Sequence, residues 1–71
     1  MSIPVNAPMV GKILNVVARV GDHVAEDDTL LVMEAMKMEI EVVAPATGTI
    51  SSISVVAGDA VNPNTVLAVI D

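Results

Sequence analysis

Two matching stretches decide the fold of this chain, Ala7-Pro8-Met9-Val10-Gly11-Lys12-Ile13 and Ala44-Pro45-Ala46-Thr47-Gly48-Thr49-Ile50. They lie 37 residues apart, and the same shift, applied without gaps, pairs residues 7–34 with residues 44–71. Nine of these 28 aligned positions are identical. The sequence therefore predicts a duplicated unit, whose two halves flank a central hairpin at residues 33–44.

The composition favours β-strands. Apolar residues make up 54% of the chain and none is aromatic, so the core must be built from Val, Ile, Leu, Met and Ala. Val and Ile in particular are enriched in strands. Gly and Pro cut the chain into short runs of strand length. We predict eight strands, near residues 3–7, 11–18, 22–25, 29–35, 38–44, 48–55, 59–61 and 65–71.

The central segment carries a competing helix signal, because residues 33–39 are good helix formers. The repeat and the alternation of apolar and acidic residues over residues 38–42 favour two strands instead. These strands must meet in a tight turn at Met36-Lys37. The turn lacks the Asn-Gly or Asp-Gly pair favoured in two-residue hairpins. We infer that function, and not turn propensity, selected its residues.

A spacing of three residues predicts the shape of two strands. Ile13 and Val16 in the first half correspond to Ile50 and Ile53 in the second. Strict alternation would place the members of each pair on opposite faces, whereas a β-bulge between them would return both to the core. We expect one all-β domain over residues 1–71, a flattened eight-stranded barrel or sandwich with pseudo-twofold symmetry.

Size and charge exclude several classes of protein. A chain of 71 residues is too small for a self-sufficient enzyme with a deep cleft. It has no cysteine for a disulfide or thiolate metal site, no pattern of a secretory signal, and no apolar run long enough to cross a bilayer. The chain has nine acidic and three basic residues, and this negative charge disfavours binding of the polyanionic nucleic acids. We expect a cytoplasmic protein that neither binds nucleic acid nor inserts into a membrane.

The motifs resemble the biotinyl domains of biotin-dependent carboxylases, decarboxylases and transcarboxylases. The resemblance covers nearly the whole chain and is carried by Ala7–Gly11, Val20–Asp22, Leu31–Met38, Ala44-Pro45 with Gly48, and Gly58-Asp59. Only Lys12 to Arg19 separate Gly11 from Val20, so the chain is similar to the members that lack a protruding thumb loop.

The resemblance assigns a role to each residue around the turn. It implies that a biotin protein ligase joins biotin to the ε-amine of Lys37 as an amide, and that Glu34, Ala35, Met36 and Met38 complete the ligase recognition motif. It implies no catalytic residue and no metal ligand in this chain. The resemblance also implies that the attached biotin carries a carboxyl group between active sites. The partners would be a biotin carboxylase and/or a carboxyltransferase or decarboxylase subunit.

Other functions are open to the same residues. The lipoyl domains of 2-oxo acid dehydrogenase complexes share the duplicated fold, but their lysine usually follows aspartate and precedes alanine. The barrels of efflux-pump adaptors carry a long helical hairpin at this junction, and this chain has none.

Met36 and Met38 could serve packing as well as recognition, and with Met33 they could form a soft-metal site. His23 fits a turn, and Glu26-Asp27-Asp28 a solvated loop or a docking face.

Overall fold

The chain forms eight antiparallel β-strands, described by a computed structural model for residues 2–71. They are β1 (Ile3–Asn6), β2 (Gly11–Val16), β3 (His23–Val24), β4 (Thr29–Ala35), β5 (Met38–Val43), β6 (Gly48–Ile53), β7 (Ala60–Val61) and β8 (Val66–Ile70). Every predicted strand is present, and no strand end differs from its prediction by more than about two residues. The helix signal of residues 33–39 is overridden by pairing between β4 and β5.

The strands form two four-stranded sheets, with the orders β1-β8-β6-β3 and β5-β4-β2-β7. The 37-residue shift converts the first order into the second, because it relates β1 to β5, β8 to β4, β6 to β2 and β3 to β7. The predicted pseudo-twofold symmetry is therefore confirmed. Of the two predicted shapes, barrel or sandwich, the sandwich is observed, since the sheets do not close.

Both predicted bulges are present. The pairing of β2 with β4 shifts register between Ile13 and Asn15, and the pairing of β6 with β8 shifts between Ile50 and Ser52. Ile13 and Ile50 are buried, while Val16 and Ile53 are partly buried against the same core. Each bulge thus turns two apolar residues that are three apart toward the interior.

The two halves interlock through their turns. In the first half, Ile13 accepts a hydrogen bond from the amide of Gly58 at 2.7 Å and donates one to the carbonyl of Asp59 at 2.8 Å. The equivalent Ile50 accepts from Gly21 at 2.8 Å and donates to Asp22 at 2.9 Å. Each half thus provides hydrogen-bond partners for backbone groups in the bulged strand of the other half. Neither half is therefore a complete structural unit.

The sandwich core lies between the sheets and ends near the β4–β5 hairpin. Its largest fully buried side chains include Leu31 and Met33 of β4. Next to them, a Cβ atom on Gly11 would overlap the Glu34 carbonyl oxygen and the Met33 side chain. Glycine therefore lets β2 approach the end of β4 closely, and this packing fixes the base of the hairpin.

Candidate functional site

The hairpin turn consists of Met36 and Lys37, as predicted. Ala35 and Met38 form the last cross-strand pair, which leaves two residues to reverse the chain. Their φ angles are +53° and +65°. Positive φ at both central positions is what a type I′ turn requires, and it is normally supplied by Asn and Gly. The turn is therefore built from residues that fit its backbone conformation poorly.

Strand β4 carries this turn on a buried support. Met33 has no exposed surface and Ala35 is 3% exposed, whereas Glu34 between them faces solvent. This alternation anchors one face of β4 in the core up to the residue before the turn. The strand ends there because Met36 takes a positive φ. The tip is consequently held by a rigid base but is itself outside the core.

Exposure separates the predicted site residues into two groups. Lys37 and Glu34 are exposed, and the exposed fractions of Met36 and Met38 are 84% and 63%. Packing is thus not the role of these two methionines. Ala35 is buried, so its side chain offers almost nothing to a partner. Ala35 instead packs the hairpin against Gly11: a Cβ atom added to Gly11 would lie only 3.2 Å from the Cβ atom of Ala35.

Sequence reasoning missed one apolar neighbour of the turn, Val10. It is 70% exposed and directly precedes Gly11, the residue that packs against Glu34 and Ala35. Extending the β2–β4 register beyond the Lys12–Glu34 pair places Val10 opposite Met36. We term the exposed apolar residues Val10, Met36 and Met38 the tip patch. The motif Ala7–Gly11 includes Val10 but does not place it near the turn, because that position depends on the pairing of β2 with β4.

The outer face beside the turn is acidic. Glu34 pairs across the strands with Lys12 on one side and Glu39 on the other, and all three side chains are exposed. Glu41, further along β5, accepts a hydrogen bond from the Thr29 hydroxyl at 2.6 Å. The apolar tip patch is therefore bordered by charge on this face of the sheet.

Lys37 lies on an exposed turn, outside the main groove of the described residues. An open groove of about 350 Å³ runs between β1 and β5, where the edges of the two sheets face each other. Its lining includes Pro8, Pro45 and Val42 but none of residues 34–38. The lysine is therefore exposed and does not line this groove.

The remaining candidate residues do not form a second site. Met33 points into the core while Met36 and Met38 are exposed, so the three sulfur atoms do not converge on a metal ion. Within residues 2–71, no cluster of His, Cys, Asp and Glu side chains could hold a metal. His23 is exposed at the start of β3. The carboxylate of Asp28 accepts a hydrogen bond from the Ala25 amide at 2.9 Å, as expected for a turn.

The described residues contain no helix long and apolar enough to span a membrane.

A covalently attached group fits this geometry. Amide formation needs an accessible primary amine, and Lys37 offers one on an exposed turn. Comparison with known sequences gives the family: the model described as "Biotin-requiring enzyme" matches residues 3–70. The chain belongs to this family. The matched residues include all eight strands of the duplicated sandwich.

Two curated relatives with biotin names cover most of this chain. The chain is 54% identical over 56 residues to the biotin carboxyl carrier protein of Streptococcus mutans, a match that covers 79% of the chain but 43% of that protein. It is 40% identical over 70 residues to the biotinylated protein TB7.3 homolog of Mycobacterium leprae, and 99% of each chain is covered. The chain thus spans less than half of the first relative and nearly all of the second.

Solved structures confirm the fold. The urea carboxylase of Kluyveromyces lactis superposes on 100% of this chain with a TM-score of 0.93 and 34% identity, although the match is 6% of that protein. The lipoyl domain of the Azotobacter vinelandii 2-oxoglutarate dehydrogenase complex also matches, with a TM-score of 0.81, 27% identity, and coverage of 97% and 95%. The backbone alone therefore does not distinguish a biotinyl from a lipoyl domain.

Proposed function

We propose that this chain is a biotin carboxyl carrier with biotin joined as an amide to Lys37. The observation that carries the proposal is the position of this lysine in a chain of the biotin-requiring family. It is exposed in a two-residue turn, and exposed methionines flank it on both sides. Biotin supplies, when bound, a ureido ring that accepts a carboxyl group at one active site and releases it at another.

The hairpin suits a carrier because it combines a rigid base with a long flexible arm. Buried Met33 and Ala35 hold β4 in place up to the turn. Beyond that point the lysine stem is free, since Lys37 is exposed and outside the groove. A tethered group reaches two active sites at high effective concentration without dissociating. The arm therefore replaces diffusion of a free cofactor.

Lys37 acts in this proposal as an attachment point and takes no proton in the overall reaction. Its amine becomes an amide nitrogen, which removes one positive charge from a chain of formal net charge -6 and leaves -7. Glu34, Met36 and Met38 are accessible to a biotin protein ligase that must recognise the lysine. Ala35 supports them from the core.

The proposed partners follow from the carrier role. A biotin protein ligase would attach the cofactor, and a biotin carboxylase and/or a carboxyltransferase or decarboxylase subunit would use it. The chain itself would be non-catalytic, and a cytoplasmic location stays a prediction. A small, exposed turn without a cleft supports this division of labour, because catalytic groups need an enclosed site to orient a substrate.

The alternative function is that of a lipoyl carrier, which the fold allows. The residues at the turn favour biotin. In lipoyl domains the lysine usually stands between aspartate and alanine, whereas Met36 and Met38 flank Lys37 here. Because these side chains are exposed, a ligase meets them directly, and the difference in flanks can decide which cofactor is attached.

Intact mass measurement tests the attachment site. The protein is incubated with a biotin protein ligase, ATP and biotin, and in parallel with a lipoyl ligase, ATP and lipoate. We expect a gain of about 226 Da from biotin, the mass of biotin less water, and none from lipoate. Lys37→Arg must abolish the gain.

Lys12 provides the matched control, because it is the other lysine of the chain and is also exposed. Lys12→Arg should leave the gain of about 226 Da intact. Retention of the label in Lys37→Arg would overturn the assignment of the site. A gain of about 188 Da with lipoate in place of biotin would establish the lipoyl alternative.

A further inference from the structure

We propose that Met36 and Met38 form a reversible oxidation site that controls cofactor attachment at Lys37. The inference about control rests on the proposed function, whereas the oxidation itself does not. A peroxide transfers one oxygen atom to the thioether sulfur, which becomes a sulfoxide, while the peroxide is reduced to water. A thiol-dependent methionine sulfoxide reductase reverses the step, releasing water as two thiols are oxidised to a disulfide.

Exposure divides the methionines sharply. Met36 and Met38 are 84% and 63% exposed, Met33 is 0% exposed, and Met9 is partly buried against the core. Susceptibility of a sulfur to dissolved oxidants follows its accessibility. Among residues 2–71, the two strongly exposed methionines are therefore those that directly precede and follow Lys37.

The composition directs an oxidant to the same place. The chain contains no Cys, Trp or Tyr, so no thiol, indole or phenol competes with methionine for a peroxide. The five thioethers are its most readily oxidised side chains. Because Met33 is buried and Met9 is partly buried, the two most exposed thioethers within residues 2–71 are those of the hairpin turn.

Oxidation there changes the site without unfolding the protein. A sulfoxide is polar, and placed in the core it would disrupt packing. Met36 and Met38 are outside the core cluster, so a sulfoxide on them remains solvated. The change is confined to the tip patch, where two of three apolar side chains become polar. A ligase that contacts this patch loses the apolar burial that both methionines provide.

We expect the rate of biotin attachment to fall by at least about tenfold, the loss that corresponds to only one of the two methionines no longer being buried against the ligase. In the experiment, the protein is treated with hydrogen peroxide for increasing times and digested, and each methionine peptide is measured for a gain of about 16 Da. The same samples are assayed for biotin attachment, before and after methionine sulfoxide reductases specific for each sulfoxide epimer.

Two results together support the proposal. Met36 and Met38 must oxidise at least about tenfold faster than Met33, and reductase treatment must restore the attachment rate. A Met36→Leu/Met38→Leu variant is the control, because leucine conserves volume and cannot be oxidised in this way. Its attachment rate should not change with peroxide. Circular dichroism should show the same folded spectrum before and after treatment.

Several results would overturn it. Equal oxidation rates of Met33 and Met36 would show that burial does not select the oxidised residues. An unchanged rate of biotin attachment to the doubly oxidised protein would show that oxidation does not regulate attachment. If the leucine variant is not a ligase substrate, reductase rescue of the natural chain decides alone. Failure of the untreated protein to accept biotin would instead refute the proposed function, and the peptide masses would still report on the oxidation site.

Discussion

Met33 and Met36 are three residues apart in one hairpin, yet the first is fully buried and the second is 84% exposed. Met33 lies on the inward face of β4, within a row of residues that holds the two sheets together. Met36 lies one residue beyond the last strand residue, where the backbone reverses. The comparison shows that scaffold and site alternate along the strand end, where Met33 and Ala35 are buried while Glu34 and Met36 are exposed. The same residue type therefore serves two unrelated purposes.

The backbone makes a parallel contrast. Where the fold needs a positive φ in its two equivalent turns, it uses Gly21 at +95° and Gly58 at +99°. At the hairpin turn it uses methionine and lysine for the same region of φ. Since glycine adopts this region without steric cost, its absence at the tip is a cost to stability. Strain of this kind is characteristic of residues kept for function.

The largest expected effect comes from truncating the two methionines in turn. Met33→Ala removes a fully buried side chain and should lower the free energy of unfolding by about 2–5 kcal/mol. Met36→Ala removes an exposed one and should change it by less than about 0.5 kcal/mol. Urea unfolding of both variants measures the difference. Similar losses in the two would mean that the tip is part of the core.

An intermediate effect is expected at the paired glycines. Gly21→Ala and Gly58→Ala force a Cβ atom into a left-handed conformation, which costs about 1–2 kcal/mol each. No atom lies within 4 Å of the added Cβ in either case, so conformational strain alone is tested. Thermal unfolding should give equal losses for the two variants. A clearly unequal pair would show that the two halves of the repeat are energetically distinct.

The smallest expected effect has the opposite sign. Met36→Asn combined with Lys37→Gly installs the pair preferred in a type I′ turn and should stabilise the protein by about 0.5–1 kcal/mol. The same variant should accept no biotin, because the attachment amine is gone. Met36→Asn alone keeps the lysine and separates the two effects. A variant that is no more stable than the natural chain would contradict the interpretation that the turn is strained.

Local patterns predicted most of the secondary structure. The alternation of residues 38–42 and the spacing of Gly and Pro indicated strands and turns, because period and turn chemistry are properties of neighbouring residues. The repeat then supplied what local patterns could not. It showed that Ile13 and Ile50 occupy equivalent bulges, and that Met36-Lys37 is a turn despite helix-forming residues on both sides.

The candidate site was predicted in part. Lys37 and its flanking residues were identified from their sequence, and the structure exposes Glu34, Met36 and Met38. The structure also shows that Ala35 is buried in the core, which the motif alone does not reveal. Val10 was missed, since only the close approach of Gly11 to β4 brings it beside the turn. Exposure depends on which strand covers which face, and a linear motif does not contain that information.

The sequence by itself determined the duplication, the eight strands, the two bulges and the lysine at the turn. These features follow from periodicity, turn residues and self-similarity along the chain. The tertiary structure decided that the sheets remain an open sandwich, that each half completes the bulged strand of the other, and that Met33 is enclosed while Met36 is free. The physical reason is that burial and hydrogen-bond partners are set by contacts between residues far apart in the chain.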